Sequence, residues 1–317
     1  MPCVLASPAP SVAALEWAKG RAVIPSRSVE RAGWPIIDVV DRSESPPWET
    51  SLLSSPLLQA ARDPQRRIVC VLNTVGQARR LACRSCHELA SCTHCGAAVS
   101  EYEAGRLQCA RCGTSRPRVC AACGSADLVR VRPGVARLRH ELEAAAGRPV
   151  AEVTAASPDA ELDRVGLFIG TEAVLHRVRS ADVVAFVDFD VELFAPRYRA
   201  AEQAMTLLIR AARLVGPRSD GGRILIQTRA AEHDVVRAAV LAEPGRLATA
   251  ERERRLSLGF PPFGALATVS GRGSDEFCAG LPPSVGRGGL PDGSTLLRAR
   301  SWNDLADALA GAPRPEG

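Results

Sequence analysis

Four Cys-x-x-Cys pairs crowd into residues 83–123 of a 317-residue chain, and no other feature limits so sharply what that stretch can become. The pairs are Cys83/Cys86, Cys92/Cys95, Cys109/Cys112 and Cys120/Cys123. Two residues between cysteines let both sulfurs of a tight turn face one ion, at a Zn–S distance of about 2.3 Å. Gly96, Gly113 and Gly124 follow the second cysteine of three pairs and supply the positive φ that closes such a turn; the first pair has His87 there. Two turns complete one tetrahedral shell, so eight cysteines predict two closed Zn2+ sites per chain. A reducing compartment disfavours disulfides, and a redox role asks for one such pair rather than four. His87 and His94 are surplus to eight thiolates and are expected not to bind metal.

Spacing favours a nested pairing over a sequential one. The thirteen residues between Cys95 and Cys109 suit a ribbon hairpin, with strands over 98–102 and 106–108. Gaps of five and seven residues separate the outer pairs from their neighbours and are short for two opposed turns. One zinc is therefore assigned to Cys92, Cys95, Cys109 and Cys112 on the hairpin, and the other to Cys83, Cys86, Cys120 and Cys123 at its base. Four thiolates around Zn2+ leave each shell with a charge of about −2. Arg84, Arg106, Arg111, Arg116 and Arg118 are close enough in sequence to screen that charge, or else to meet phosphate. Cys3, Cys70 and Cys278 lack partners and read as small buried or incidental residues.

Outside the cysteine block the pattern is α/β. Strands are expected at 35–41, 67–73, 165–170, 183–189 and 223–228, with helices at 137–146 and 197–215. This alternation predicts a parallel sheet, with the cysteine block inserted after its first strand or two. Beyond residue 230 an Arg- and Ala-rich helix is expected before Gly259, then a loosely ordered Gly/Pro stretch over 271–293. One strand and one short helix are expected over 295–310. No apolar run approaches about 18 residues, so no membrane-spanning helix is expected. Residues 1–11 lack the pattern of a secretory leader, which makes the cytoplasm the default compartment. The net charge of +5 is carried by arginine, Lys19 being the single lysine; acidic partners fit, but so mild a bias selects none.

A series of segments in order carries a family likeness: Val71-Leu72-Asn73, Leu81-Ala82-Cys83-Arg84-Ser85-Cys86, Gly105-Arg106-Leu107-Gln108-Cys109 and Cys120-Ala121-Ala122-Cys123-Gly124-Ser125. Gly170-Thr171, Asp188-Phe189-Asp190, Arg199-Ala200-Ala201-Glu202, Leu225-Ile226-Gln227-Thr228 and 258–264 continue it. Together they resemble the primosomal protein N-prime family, the PriA replication-restart helicases. The resemblance implies a RecA-like parallel sheet, helicase lobe 2, carrying an inserted double zinc ribbon with nested pairing and a small α+β C-terminal region. It divides the chain into a remnant of lobe 1 and linker (1–66), a degenerate lobe 2 (67–82 and 125–230), the zinc-binding insertion (83–124) and the C-terminal region (231–317). It also implies binding to stalled, forked or single-stranded DNA and assembly of a primosome that reloads the replicative helicase. The implied partners are other primosome proteins, among them the replicative helicase or its loader and single-strand-binding protein, at the nucleoid and with no membrane involved.

The sequence departs from a working helicase of that family. A phosphate-cradling P-loop needs Gly-x-x-x-x-Gly-Lys-Ser/Thr, and Lys19 follows Trp17-Ala18 with no such loop. No Asp-Glu-x-His cluster is present; Asp275-Glu276-Phe277 lies in the wrong region. The chain is expected to start where the family's third helicase motif would lie, with 6–11 as its remnant, and the family's first lobe and N-terminal DNA-end-binding domain have no counterpart. After Gly170-Thr171 the family's glutamine is replaced by Glu172, and its Lys-Gly-His by His176-Arg177. Its arginine-finger motif falls on 210–217, where Leu214 and Pro217 take the arginine positions. The expected chain has no catalytic residues and does not hydrolyse ATP, since phosphoryl transfer needs those parts together. The alternatives are a zinc-ribbon DNA-binding or scaffold protein unrelated to restart, an active ATPase, and a thiol oxidoreductase.

Overall fold

The computed structural model describes residues 4, 6–44, 51–73, 81–130, 135–153, 157, 165–290 and 292–313. Cys3 lies outside them. Strands β1 (Ile36–Asp41) and β2 (Ile68–Val71) come first. Five short strands accompany the cysteines: β3 (Leu81–Cys83), β4 (Ser100–Glu103), β5 (Arg106–Gln108), β6 (Ser115–Pro117) and β7 (Leu128–Arg130). Then follow β8 (Ala151–Val153), β9 (Leu167–Gly170), β10 (Val183–Phe186) and β11 (Arg223–Thr228). Strands β12 (Ala265–Val269), β13 (Gly286–Gly289) and β14 (Thr295–Ala299) come last.

Six of these strands make one parallel sheet in the order β1-β11-β10-β2-β9-β8. Both of its faces are apolar because alternate residues of each strand point opposite ways. On one face Val69 and Val71, with Phe168, Val184, Phe186, Ile224 and Ile226, share a core with the helix Ala200–Val215. That helix supplies Ala201, Ala204, Met205, Leu208, Ala211, Ala212 and Val215, at the three-to-four spacing of an apolar stripe. On the other face Ile68, Cys70 and Leu72 join Leu167, Ile169 and Ala185. The helices Ser55–Ala61 and Val135–Ala146 cover them with Leu57, Ala61, Leu138 and Leu142.

The cysteine-rich stretch leaves the sheet after β2 and returns before β8. Strands β3 and β7 pair antiparallel at its root, and β4, β5 and β6 form a three-stranded antiparallel ribbon. A fourth, antiparallel sheet, β12-β14-β13, packs with the helices Ser274–Ala279 and Trp302–Gly311 around Leu297, Leu305, Cys278 and Leu281.

Two expectations need correction, and one strand of the parallel sheet is an addition. The stretch 271–293 is not loosely ordered where it is described: it holds the helix Ser274–Ala279 and β13, because Cys278, Leu281 and Val285 bury there and glycines tolerate the paired strand. The single helix after residue 230 is two, Asp234–Val240 and Pro244–Leu258, broken where Ala242 turns to φ 53° and Pro244 starts a new helix. Strand β8 was not foreseen; three residues at a sheet edge are too few to show a period.

Candidate metal centre

Each Cys-x-x-Cys pair folds into the same turn. The first cysteine's N–H donates to the carbonyl five residues on: Cys83 to Glu88 (2.8 Å), Cys92 to Ala97 (2.7 Å), Cys109 to Thr114 (2.9 Å) and Cys120 to Ser125 (2.7 Å). Its carbonyl in turn accepts from the N–H four residues on, at His87, Gly96, Gly113 and Gly124, each at 2.9 Å. That fourth position sits at φ 64°, 72°, 76° and 77°, so His87 holds a left-handed backbone that the three glycines take without strain.

Two groups of four sulfurs result among the described residues, Cys83/Cys86/Cys120/Cys123 and Cys92/Cys95/Cys109/Cys112, each with its sulfurs within 4.8 Å of one another. In space this is the nested grouping, and neither His87 nor His94 enters it. The closest cross-turn separations are 3.5 Å for Cys83–Cys123 and Cys86–Cys120, 3.6 Å for Cys92–Cys112 and 3.5 Å for Cys95–Cys109. A regular tetrahedron with Zn–S of about 2.3 Å has edges of about 3.8 Å, whereas a disulfide closes to about 2.05 Å. The donor set therefore fits a tetrahedral thiophilic ion. Within each cluster hydrogen bonding between sulfurs lowers some thiols and raises others. Hydrogen bonding with the Cys109 thiol holds Cys92 down to about 6 and lowers Cys112 further, while Cys109 is raised by its bonds to the other three. Burial opposes the same change at Cys83, but N–H groups of Cys86 and Ser85 and the Cys123 thiol bring it down to about 6.

The two clusters differ in their surroundings. All four cysteines on the ribbon are buried, in one core with Ala97, Val99, Leu107 and Phe260, against which Tyr198 and Leu258 pack. At the root, Cys83 and Cys120 are buried but Cys86 and Cys123 are exposed. The ribbon cluster is thus the inner one, although the root is nearer the parent sheet in chain order. Ala98 N–H donates to the Phe194 carbonyl at 2.8 Å, and Arg111 bridges the Cys95 carbonyl (3.1 Å) and the Ala195 carbonyl (2.9 Å). On the opposite side Gln108 donates to the Gly289 carbonyl, and a Cβ at Gly113 would lie 3.4 Å from the Gly288 Cα. The ribbon is wedged between the Phe194–Ala195 segment and the β12-β14-β13 sheet.

The flanking arginines have carbonyl, carboxylate and hydroxyl partners around the two clusters. Arg116 donates to the Val119 and Ser91 carbonyls, and Arg118 to those of Ala126 (2.9 Å) and Leu128 (2.6 Å). Arg118 also pairs with Glu101 at 3.3 Å, Arg84 with Asp127 at 3.4 Å, and Arg106 donates to Ser115 at 2.8 Å. Cys70 is fully buried, its thiol pushed up to about 12 by burial, and Cys278 is buried too.

Beside the inner cluster lies a charged network whose partners are far apart in sequence. Glu202 accepts from Val12 N–H (2.7 Å), Arg199 (2.9 Å) and Arg255 (3.0 Å), and Arg255, 1% exposed, also meets Glu251 at 3.3 Å. Burial raises the Glu202 carboxyl, but these donors outweigh it and the group stays below its usual range. At the strand ends Asn73 donates to Glu192 (2.5 Å) and accepts from Glu172 N–H (2.7 Å), and Asp190 accepts from Thr228 and from Arg229 N–H. Burial pushes Glu192 above the usual carboxylate range.

No protein-family model matches the chain. Among curated proteins it is similar to the probable replication restart protein PriA of Mycobacterium leprae, 32% identical over 263 residues, covering 78% of this chain and 40% of that one. The replication restart protein PriA of Haemophilus influenzae is 28% identical across 70% of this chain and 34% of its own length. That of Thermotoga maritima is 24% identical across 94% of this chain and 42% of its own. The chain spans less than half the length of these relatives.

Proposed function

We propose, for a chain that is a PriA-family relative across most of its length, a role in replication restart: binding stalled or branched DNA and helping to assemble the primosome that reloads the replicative helicase. The observation that carries this is the similarity itself, which runs through the cysteine module and both flanks in one order. A zinc ribbon by chance would match only across its own cysteines. The alternative of an unrelated zinc-ribbon scaffold leaves the flanking similarity without a cause.

In this reading the parallel sheet is RecA-like, a degenerate second lobe formed by 67–82 and 125–230 and joined by β1 and the helix Ser55–Ala61, with 83–124 as its zinc insertion, the rest of 1–66 as lobe 1 remnant and linker, and 231–317 as a C-terminal region. Cys83, Cys86, Cys120 and Cys123 hold one zinc and Cys92, Cys95, Cys109 and Cys112 another, two Zn2+ per chain. Zinc in closed four-thiolate sites supplies folding energy rather than catalysis. ATP hydrolysis is not part of the proposal. The chain's single lysine is outside any P-loop, Arg213 is exposed on its helix, and Leu214 packs against the core where the family has an arginine. Partners are forked or single-stranded DNA and primosome proteins, among them the replicative helicase or its loader and single-strand-binding protein, in the cytoplasm at the nucleoid. Among the described residues no helix is long and apolar enough to cross a membrane.

The test is binding to forked against linear duplex at equal salt, by protein of measured zinc content, before and after chelation. Restart function predicts a fork preference that falls when zinc is removed. Equal affinity for both DNAs, or binding indifferent to complete zinc loss, would sink the role given to the ribbons. A DNA-stimulated phosphate-release assay is expected to stay at background.

A further inference from the structure

Resting on the metal reading above, we propose that the outer cluster, Cys83/Cys86/Cys120/Cys123, is a site of reversible thiol oxidation by hydroperoxides, and that the inner cluster is not. Two observations carry it. Cys86 and Cys123 are exposed, whereas the four inner cysteines are between 0% and 7% exposed. Each exposed sulfur also has a buried partner at 3.5 Å, Cys83 for Cys123 and Cys120 for Cys86, so a first oxidation has a resolving thiolate at hand. Reaction at sulfur requires the oxidant to reach it, and exposure is what differs between chemically identical shells.

The chemistry closes with a hydroperoxide as the two-electron oxidant. The Cys123 thiolate attacks the outer peroxide oxygen; an S–O bond forms, the O–O bond breaks, and the departing alkoxide or hydroxide takes a proton from solvent. The Cys83 thiolate then attacks the sulfenic sulfur; an S–S bond forms, the S–O bond breaks, and hydroxide leaves to become water. Cys86 and Cys120 can follow the same course. Two thiolates have lost two electrons to the peroxide, and a dithiol reductant returns them by exchange. Two remaining thiolates do not complete a four-coordinate shell, so the outer ion is shed. The β3–β7 root loosens while the wedged ribbon keeps its ion.

The experiment uses the full chain, reduced, with its zinc content measured beforehand. Hydrogen peroxide is added in steps, released zinc is followed with a chromogenic chelator, and disulfides are mapped by peptide mass spectrometry. One zinc is expected to leave at least about tenfold faster than the other, with the first disulfide among Cys83, Cys86, Cys120 and Cys123. Dithiol and added zinc are expected to restore it. Two ions leaving at one rate, or a first disulfide within the inner cluster, overturns this inference and leaves the metal reading intact. A chain carrying no zinc at the outset overturns both.

Discussion

The inner and outer cysteine clusters are assembled from one turn repeated four times, with the same hydrogen bonds at nearly the same lengths, yet they sit in different environments. The outer cluster is closed by its own two turns and by the β3–β7 pair. The inner one is enclosed besides by Phe260, Tyr198, Arg111 and the glycine edge of β13. With ligand geometry shared, burial of the cysteines and the number of bodies packed around them are what separate the two clusters.

The sharpest way to break this comparison is to remove one ligand from each cluster. Cys109→Ser is expected to unseat the ribbon, leave at most one zinc per chain and cost several kcal/mol, since structural zinc supplies on the order of 10 kcal/mol of folding energy in small domains. Cys123→Ser is expected to lose one zinc and leave the inner shell and most of the melting transition in place. Metal analysis with thermal denaturation checks both, and equal losses would erase the distinction. Arg255→Met should come next. It removes the buried cation that Glu202 and Glu251 share and leaves them only the more exposed Arg199 and Arg254, at a cost of about 1–3 kcal/mol in urea denaturation. Arg111→Ala frees the Cys95 and Ala195 carbonyls and is expected to cost about 1–3 kcal/mol without changing zinc content.

Acidification offers a graded version. His233 packs edge-on to Phe194, whose carbonyl receives Ala98, and its Nδ1 accepts from Val235 N–H at 3.2 Å. Burial, with Arg254 and Arg111 nearby and Asp234 opposing, lowers His233 to about 4. The neutral ring's stabilisation is therefore complete above about pH 6.5 and is lost as pH falls toward 4, to a limit of about 3 kcal/mol. Stability of the wild type should fall across that window more steeply than that of His233→Gln, measured by denaturant titration. The smallest effect expected is at the outer cluster, where His87→Gly relieves a left-handed residue and should stabilise by up to about 1 kcal/mol.

The residues that repeat a period or a spacing were readable from the sequence. The strand at 223–228 is observed at those bounds, and the cysteine gaps point to the nested grouping found in space. What escaped has long sequence separation or little side chain. Nothing near Cys95 announces that Arg111 will span to Ala195, 84 residues on, or that Val12 will donate to a carboxylate 190 residues away. The strand Gly286–Gly289 has almost no side chains to show alternation, so composition alone suggested a loosely ordered stretch. Which cluster would be buried was equally hidden, because the root of an insertion, by chain order, is the part nearest the parent sheet.

That glycine strand has a consequence for self-association. A bare sheet margin offers open main-chain groups on which a foreign strand can dock. Here the Gln108 amide already occupies the Gly289 carbonyl, and Gly113 lies against Gly288 with no room between. The ribbon thus serves as a lid on a sticky margin, and a chain whose ribbon comes away is expected to clump before it unravels.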